Sequence, residues 1–461
     1  MKPIIIELDH SLSIPLYIQL YERIKQSITA GSLAAGEKLP SLRALARDLA
    51  LSVTTVQQAY NQLLVEGYIA SRPQSGYYVA AAFQPAAESG DARGQAYAGD
   101  AQARAEAPSY LYDSCCFDFN KWKKCSAAVF NEHYEQLLCE SDPQGELPLR
   151  REIARYLYSS RGVTASPEQI VIGAGTQQIT AQLCRILARL DINHVSLESP
   201  GYLPVQNMFR DSGFAISHIP VHSDGIDISR LPVNISSAVY VSPSNQFPTG
   251  AVMPAAARYR LLAWAAENKS VIIEDDYDSE LRYFGKPLPA LQSLDRAGLV
   301  VYLGSFSSTL FAAIKISYMV LPPALAQVFA QIRGRYSQTC SKAEQLTLAL
   351  FMERGYYYTG LRRLRKLYAQ KLQTALAAFD AYGRELVRPV DTRSGINLIL
   401  RVRSKKRADE LCALAKSVGV HMAPVADISD QESSALIFYY NSVPLAKLTD
   451  TIRALLSLWR A

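Results

Sequence analysis

Residues 81–108 place the strongest constraint on how this chain can fold. Eleven of these 28 positions are Ala, interrupted by Pro85, Gly90, Gly94, Gly99 and Pro108, with only Phe83 and Tyr97 as aromatics. Such a segment buries too little surface to offset the entropy of ordering it, and its Gly and Pro residues work against one continuous Ala-rich helix. A flexible linker is therefore expected, with a separate body on each side. The length of 461 residues agrees, since domains run to ~100–200 residues each. The expected boundaries are 1–80 for a small module, 81–113 for the linker and 114–461 for a large module. No internal repeat is visible.

Composition excludes a mostly disordered or collagen-like chain, with 49% hydrophobic and 20% charged residues. The net charge of +6, from 48 basic against 42 acidic residues, is too mild to assign a nucleic-acid partner by itself. Seven cysteines (115, 116, 125, 139, 184, 340, 412) form no C-x-x-C pair, which predicts free thiols in a reducing compartment. His133 and the other five His lack metal-ligand spacing, so no metal is expected. Glu7 and Asp9 interrupt the apolar start, which argues against a signal peptide, and no stretch approaches the ~18 apolar residues of a membrane span. The expectation is a cytoplasmic protein without a membrane partner.

In the small module, Leu16, Tyr17, Leu20, Tyr21, Ile24 and Ile28 recur at helical spacing between Pro15 and Gly31. Gly36-Glu37-Lys38-Leu39-Pro40 reads as a turn, and Ser41 as the cap of a short helix carrying Leu42, Leu45, Ala46 and Leu49. A third helix is expected from Ser52 or Thr54, with Val56, Ala59, Tyr60 and Leu63 inward and Thr55, Gln57, Gln58 and Asn61 outward. Residues 68–72 and 77–79 alternate like a hairpin joined through Pro73-Gln74-Ser75-Gly76. This order fits a winged helix-turn-helix, in which the second helix of the pair enters the major groove. A helical protein-interaction domain is the alternative.

The segments Pro15-Leu16-Tyr17-x-Gln19, Gly36-x-x-Leu39-Pro40-Ser41-x-Arg43-x-Leu45-Ala46 and Thr54-Thr55-Val56-x-x-Ala59-Tyr60 resemble the GntR class of bacterial regulators over residues 12–79. The resemblance implies a double-stranded DNA operator as partner. Ser41 and Arg43 would contact phosphates or a base edge, Thr54, Thr55 and Gln57 would face the groove, and Arg72 with Ser75 and Gly76 would form the wing tip. Val53 departs from the family, which usually has a basic residue there; an Arg would supply a base contact worth ~1–3 kcal/mol of discrimination. The module holds seven Lys/Arg against six acids, the linker carries −2 and the large module +7. DNA is thus expected to be read through particular contacts more than through bulk charge.

The large module contains a series of short apolar strands, each followed by a chemically rich turn. Ile170-Val171-Ile172-Gly173 precedes Ala174-Gly175-Thr176-Gln177, where a helix start would favour an anion. Val195–Glu198 precedes Ser199-Pro200-Gly201-Tyr202, and Ala238–Val241 precedes Ser242-Pro243-Ser244-Asn245-Gln246-Phe247-Pro248-Thr249-Gly250. Ser270–Ile273 precedes Glu274-Asp275-Asp276-Tyr277-Asp278, and Leu299–Leu303 precedes Gly304-Ser305-Phe306-Ser307. Open α/β sheets bind ligands at such carboxyl ends.

With Asp142-Pro143-Gln144-Gly145-x-x-x-Leu149-Arg150, this string resembles the fold-type I aminotransferases, and in detail the MocR subgroup, where a GntR-type winged helix is fused to an aminotransferase-like domain. The implied fold class is α/β: a winged helix-turn-helix, then a large α/β/α aminotransferase-like domain with a smaller C-terminal α/β subdomain. The implied cofactor is pyridoxal 5′-phosphate. Gly175 and Thr176 would hold its phosphate, Tyr202 would stack on its ring, Asp275 would pair with the ring nitrogen and Tyr277 would approach the ring hydroxyl. Asn245, Ser305, Ser307 and Lys315 complete the expected ligand site.

Against the family pattern, the lysine that links covalently to the cofactor is replaced by Ser308 in Gly304-Ser305-Phe306-Ser307-Ser308, and a serine hydroxyl cannot form an imine. The phosphate-binding Arg is Lys315, which keeps the charge without the bidentate fork. The Arg that receives an amino-acid carboxylate has Ser433 as its nearest equivalent.

These losses predict an aminotransferase-fold pseudoenzyme without transaminase activity. The expectation is a sequence-specific transcriptional regulator whose large domain dimerises and senses a phosphate- or carboxylate-bearing effector, with any pyridoxal phosphate held other than as an imine at 308. Two alternatives stay open: a pyridoxal-phosphate-dependent aminotransferase using an unusual lysine, and a ligand-independent dimeric regulator. Arg362-Arg363-x-Arg365-Lys366 reads either as a nucleic-acid stripe or, more simply, as the solvated face of a long helix.

Overall fold

Two compact units, Met1–Ala105 and Glu106–Ala461, make up the chain in the computed structural model. The structure describes residues 8–9, 14–73, 75–80, 117–282, 288–390, 395–425 and 433–460. The linker expected at 81–113 lies outside the described residues, as do Gln74, Cys115 and Cys116.

In the first unit, α1 (Leu16–Thr29) follows Pro15 and buries Leu20, Tyr21, Ile24 and Ile28. The Ser41 hydroxyl accepts from Ala44 N–H at 3.2 Å and opens α2 (Leu42–Asp48). Of the two starts left open for the next helix, Ser52 is the cap: its hydroxyl accepts from Thr55 N–H at 3.0 Å and begins α3 (Val53–Val65). Val56, Ala59, Tyr60 and Leu63 are fully buried, as their 3.6-residue spacing requires. The hairpin is β1 (Ile69–Arg72) paired antiparallel with β2 (Gly76–Val79). Segment 36–40 is more than the expected turn. Leu39 N–H donates to Tyr77 O and Val79 N–H to Glu37 O, both at 2.9 Å, so this stretch adds a third edge to the wing. Its Gly and Pro residues mask that pairing in the sequence.

The second unit begins with α4 (Phe119–Glu132), α5 (Tyr134–Leu137) and α6 (Leu147–Arg161). Then follow β3 (Ile170–Gly173), α7 (Thr176–Ala188), β4 (His194–Ser199), α8 (Leu203–Asp211), β5 (Ala215–His222), β6 (Gly225–Ile226) and β7 (Ala238–Val241). Next come α9 (Ala255–Glu267), β8 (Val271–Asp275), β9 (Val300–Ser305), β10 (Ser317–Val320), α10 (Pro323–Ile332), α11 (Lys342–Glu353) and the long α12 (Tyr356–Gly383). The strands form one sheet in the order β3-β10-β9-β8-β7-β4-β5-β6. Neighbours from β9 through β5 are parallel, and β10 runs against both of its neighbours.

Burial on both faces explains why these strands read as continuous apolar runs. Ile273 packs with Ile179 and Leu183 of α7 and Phe209 of α8 on one side, while Ile272 packs with Leu261 and Trp264 of α9 on the other. The remaining elements are β11 (Val387–Pro389), β12 (Leu398–Val402), α13 (Ala408–Ser417), β13 (Met422–Pro424), β14 (Ser434–Phe438) and α14 (Leu448–Arg460). Their antiparallel sheet, in the order β11-β12-β14-β13, forms the smaller C-terminal subdomain. Arg362, Arg363 and Lys366 lie exposed on α12 while Leu361, Leu364 and Tyr368 are buried, the pattern of a solvated helix face.

Among the described residues, no helix is long and apolar enough to cross a membrane, and no group of three metal-ligating side chains is present.

Candidate functional site

On the small unit, the α3 start presents Val53, 43% exposed, beside exposed Thr54 and Gln57. The hydroxyls of Thr54 and Thr55 each lie 2.7 Å from Ser52 Oγ, so both are drawn into the helix cap, and Thr55 is half-buried. Ser41 caps α2 and Arg43 is exposed in its first turn. At the wing, the Arg72 guanidinium stacks 4.4 Å from the centre of the Tyr78 ring, and Lys38 Nζ lies 5.8 Å from it. Ser75 Oγ is 2.6 Å from the Tyr78 hydroxyl, and Gly76 opens β2 at φ +109°. Lys38 and Tyr78 were not expected in this cluster. Only the unforeseen third edge of the wing brings Lys38 there.

On the large unit, a cavity of about 590 Å³ opens at the carboxyl ends of the strands, within the ~300–1,000 Å³ of small-molecule sites. Gly175 and Thr176 border it after β3, Tyr202 after β4, Asp275 and Tyr277 at β8, and Ser305, Ser307 and Ser308 at β9. Because β10 reverses direction, Lys315 just ahead of it returns to the same edge. A Cβ added at Gly175 would meet Lys315 Cδ at 4.0 Å, so the lysine stem passes over the start of α7. Gly175 itself takes φ +88°, a conformation that favours glycine, and turns the chain from β3 into the helix. Phe247 stands edge-on to both Tyr202 and Tyr277, each at 6.2 Å, and joins the two expected aromatics. Asn245 is buried but is not among the residues lining the cavity; it lies beside Gly395. Ser433 is half-buried and likewise does not line the cavity.

Three buried carboxyl groups face this space: Asp275, Asp278 and Glu198. Desolvation raises Asp275 to about 7 even though the Tyr240 hydroxyl donates to its Oδ2. Desolvation raises Glu198 to about 8 against hydrogen bonds from Ser242 N–H at 3.2 Å and Gln246 Nε2 at 3.3 Å. Asp278, at φ +55°, is raised to about 6, again by burial, with the neighbouring Ser308 hydroxyl opposing the rise. Glu198, Tyr240 and Asp278 were missed as site residues. Glu198 was legible as a charge ending an apolar strand, whereas Tyr240 inside Ala238–Val241 looks like plain core.

The adjacent Asp276 points the opposite way, as strand alternation dictates. Its carboxylate takes Arg161 Nε at 2.6 Å and Nη2 at 2.9 Å, the Tyr302 hydroxyl at 2.5 Å and Ser279 Oγ at 2.9 Å. Arg161 also donates to Leu288 O and to Ser244 Oγ. The pair therefore ties the end of α6 to the end of β8 behind the cavity.

Residues 16–79 match the family model for bacterial regulatory proteins of the gntR family, and residues 119–430 match that for aminotransferase class I and II. The uncharacterized HTH-type transcriptional regulator YdeL of Bacillus subtilis is 39% identical over 91% of this chain and 91% of its own. The probable rhizopine catabolism regulatory protein MocR of Rhizobium meliloti is 33% identical over 91% and 88%. Among solved structures, the α-aminoadipate aminotransferase LysN of Thermus thermophilus, complexed with N-(5′-phosphopyridoxyl)-L-leucine, superposes with a TM-score of 0.65 at 26% identity, covering 76% of this chain and 90% of that one. A winged helix ahead of an aminotransferase fold, matched over 91% of the chain by such relatives, assigns the chain to the MocR-type HTH transcriptional regulators of the GntR family.

Proposed function

We propose that this regulator couples operator binding by residues 1–80 to occupancy of the cavity in residues 114–461, with 81–113 as the connection in the chain. Ser41, Arg43 and Arg72 fix the module on the phosphates, Thr54, Thr55 and Gln57 with Val53 set sequence preference, and Gly76 shapes the wing tip. The large unit senses a small effector and holds two chains together, so that a change in the cavity alters the spacing of the two readers on DNA. The protein acts in the cytoplasm.

The observation that carries this reading is a cavity of about 590 Å³ lined by Gly175, Tyr202, Asp275 and Ser308; on the family resemblance, Ser308 takes the place of the lysine. These residues fit a phosphorylated pyridine such as pyridoxal 5′-phosphate held without a covalent bond. The N–H groups at the start of α7 and Lys315 suit a phosphate, Tyr202 a ring face, and Asp275, already given one hydrogen bond by Tyr240, a ring N–H. When bound, such a group supplies an electron sink; this chain lacks at 308 the amine that would anchor it and move protons. Asp275 can hold a ring proton, and Ser308 can only donate or accept a hydrogen bond. Regulation rather than transamination follows.

The full chain is expected to shift DNA from upstream of its own locus in a mobility assay and to leave random DNA unshifted at the same concentration. Equal binding to both overturns the reading. The enzymatic alternative depends on another lysine. Lys315 stands over the α7 start, at the phosphate end, and a visible band fixed by borohydride in the native protein is the result that would restore that alternative.

A further inference from the structure

We propose that the cavity is selective for a phosphate monoester carrying a primary ammonium group, with Asp278 and Ser308 receiving the ammonium, over the matching aldehyde or alcohol. This rests on the reading above, that the cavity holds a phosphorylated pyridine.

The two ends of the cavity differ in charge. Lys315 and the start of α7 make one end cationic in character, and Lys315 is the sole basic side chain among the described residues lining the space. Asp278, Asp275 and Glu198 make the wall beyond β8 and β4 acidic. Their acceptors are not equally committed. Glu198 takes a backbone N–H and the Gln246 amide, and Asp275 takes the Tyr240 hydroxyl on the side where a ring nitrogen is expected. Asp278 shares the cavity wall with Ser308, whose hydroxyl is the one side-chain donor acting on it among the described residues; on the family resemblance, Ser308 stands where the family has its cation.

A carboxylate has about four lone-pair sites, so one hydroxyl donor leaves most of the Asp278 capacity open. A buried carboxylate gains most from a charged donor, since charge-assisted hydrogen bonds are about twice as strong as neutral ones. An aldehyde oxygen at this place sets acceptor against acceptor. It can be satisfied only if Ser308 turns to it and abandons Asp278. An alcohol supplies one neutral donor. An ammonium supplies three donors and the missing positive charge together. Burial already drives Asp278 to take up a proton near pH 6, so the group has a standing demand for a cation. The ligand thus brings the amine that the chain has lost.

The test uses the full chain in titration calorimetry against pyridoxamine 5′-phosphate, pyridoxine 5′-phosphate, pyridoxal 5′-phosphate and inorganic phosphate. The amine and the alcohol differ only in the group that would face Asp278. The expected result is at least tenfold tighter binding of the amine than of the alcohol or the aldehyde. Asp278→Asn should remove that preference while leaving the alcohol's affinity within about threefold, which also reports that the variant is folded. Ser308→Lys gives an independent arm: a cation placed beside Asp278 should weaken the amine tenfold or more, whatever the stability of the Asn variant. Equal affinity for amine and alcohol in the native chain overturns the inference and leaves the cavity reading intact. Absence of binding by all three pyridine phosphates overturns both, and binding of inorganic phosphate alone counts as an adventitious ion only and does the same.

Discussion

The Tyr240 hydroxyl donates a 2.5 Å hydrogen bond to Asp275 Oδ2, linking neighbouring strands β7 and β8 at the edge of the cavity. This bond opposes the burial that raises Asp275 to about 7. Tyr240→Phe therefore pushes the Asp275 carboxyl further up and favours its neutral form, which is a poorer partner for a protonated ring nitrogen. Losing a hydrogen bond to a charged group costs about 1.5–3 kcal/mol. The expected outcome is a tenfold or greater loss of affinity for pyridoxal 5′-phosphate by calorimetry, with a circular dichroism spectrum unchanged from the native chain.

On the function proposed above, Ser308→Lys restores the amine that the family resemblance places at this position. Gly175, Thr176, Tyr202, Asp275, Tyr277 and Lys315 line the same cavity. The variant mixed with pyridoxal 5′-phosphate is expected to turn yellow, and borohydride followed by peptide mapping should find the label at position 308. A colourless variant would show that the cavity no longer accepts the ring.

Arg72 and Lys38 both lie near the Tyr78 ring at the wing, so the exposed Arg72 side chain has its guanidinium resting against an aromatic face. Arg72→Ala should weaken binding to operator and random DNA alike and lower the slope of log K against log salt by about 1, as loss of one phosphate contact requires. Gln57→Ala, on the exposed face of α3, is expected to leave that slope unchanged and to relax sequence preference. Fluorescence anisotropy across a salt series separates the two.

Glu198 gives a pH dependence with a definite sign. Its carboxyl is raised by burial to about 8, against 4.5 for an ordinary glutamate. Between these values the folded protein holds a proton that the unfolded chain releases, so the stability contributed is complete below pH 4.5 and is lost as pH rises toward 8. Asp275, Asp278, Glu274 and Glu280 are raised in the same direction, so the ligand-free protein should melt at progressively lower temperature from pH 5 to pH 8. Glu198→Gln keeps an acceptor for Ser242 N–H and removes this proton. It is expected to flatten the slope, with a gain on the order of 2–4 kcal/mol at pH 8 relative to the native chain. Calorimetric melting at several pH values is the measurement.

The helices and strands that position both sites were legible because their signals are local. Ser41 and Ser52 each stand one residue before an apolar period, and both act as caps. Apolar runs such as Ile170–Gly173 end in glycine turns, and the cavity lies at those ends. What escaped the sequence depends on contacts distant along the chain. Lys38 reaches Tyr78 only through backbone pairing forty residues apart, and Tyr240 meets Asp275 only because β7 lies beside β8. Asn245 illustrates the converse: a polar residue in a motif-rich loop is buried beside Gly395, a neighbour that the sequence does not announce.

The ion pair between Arg161 and Asp276 bears on how such a protein can come to exist. Removing one partner of a buried pair costs about 3–5 kcal/mol, so those two residues are hard to change separately. Asp275, one position away, has its carboxyl on the cavity side and makes no ion pair among the described contacts. Alternation along one strand has separated the acid that secures the architecture from the acid that meets a guest. A cavity braced from behind in this way can exchange its chemistry residue by residue while its shape is inherited intact, which is the condition under which an enzyme's pocket can be retained as a receptor.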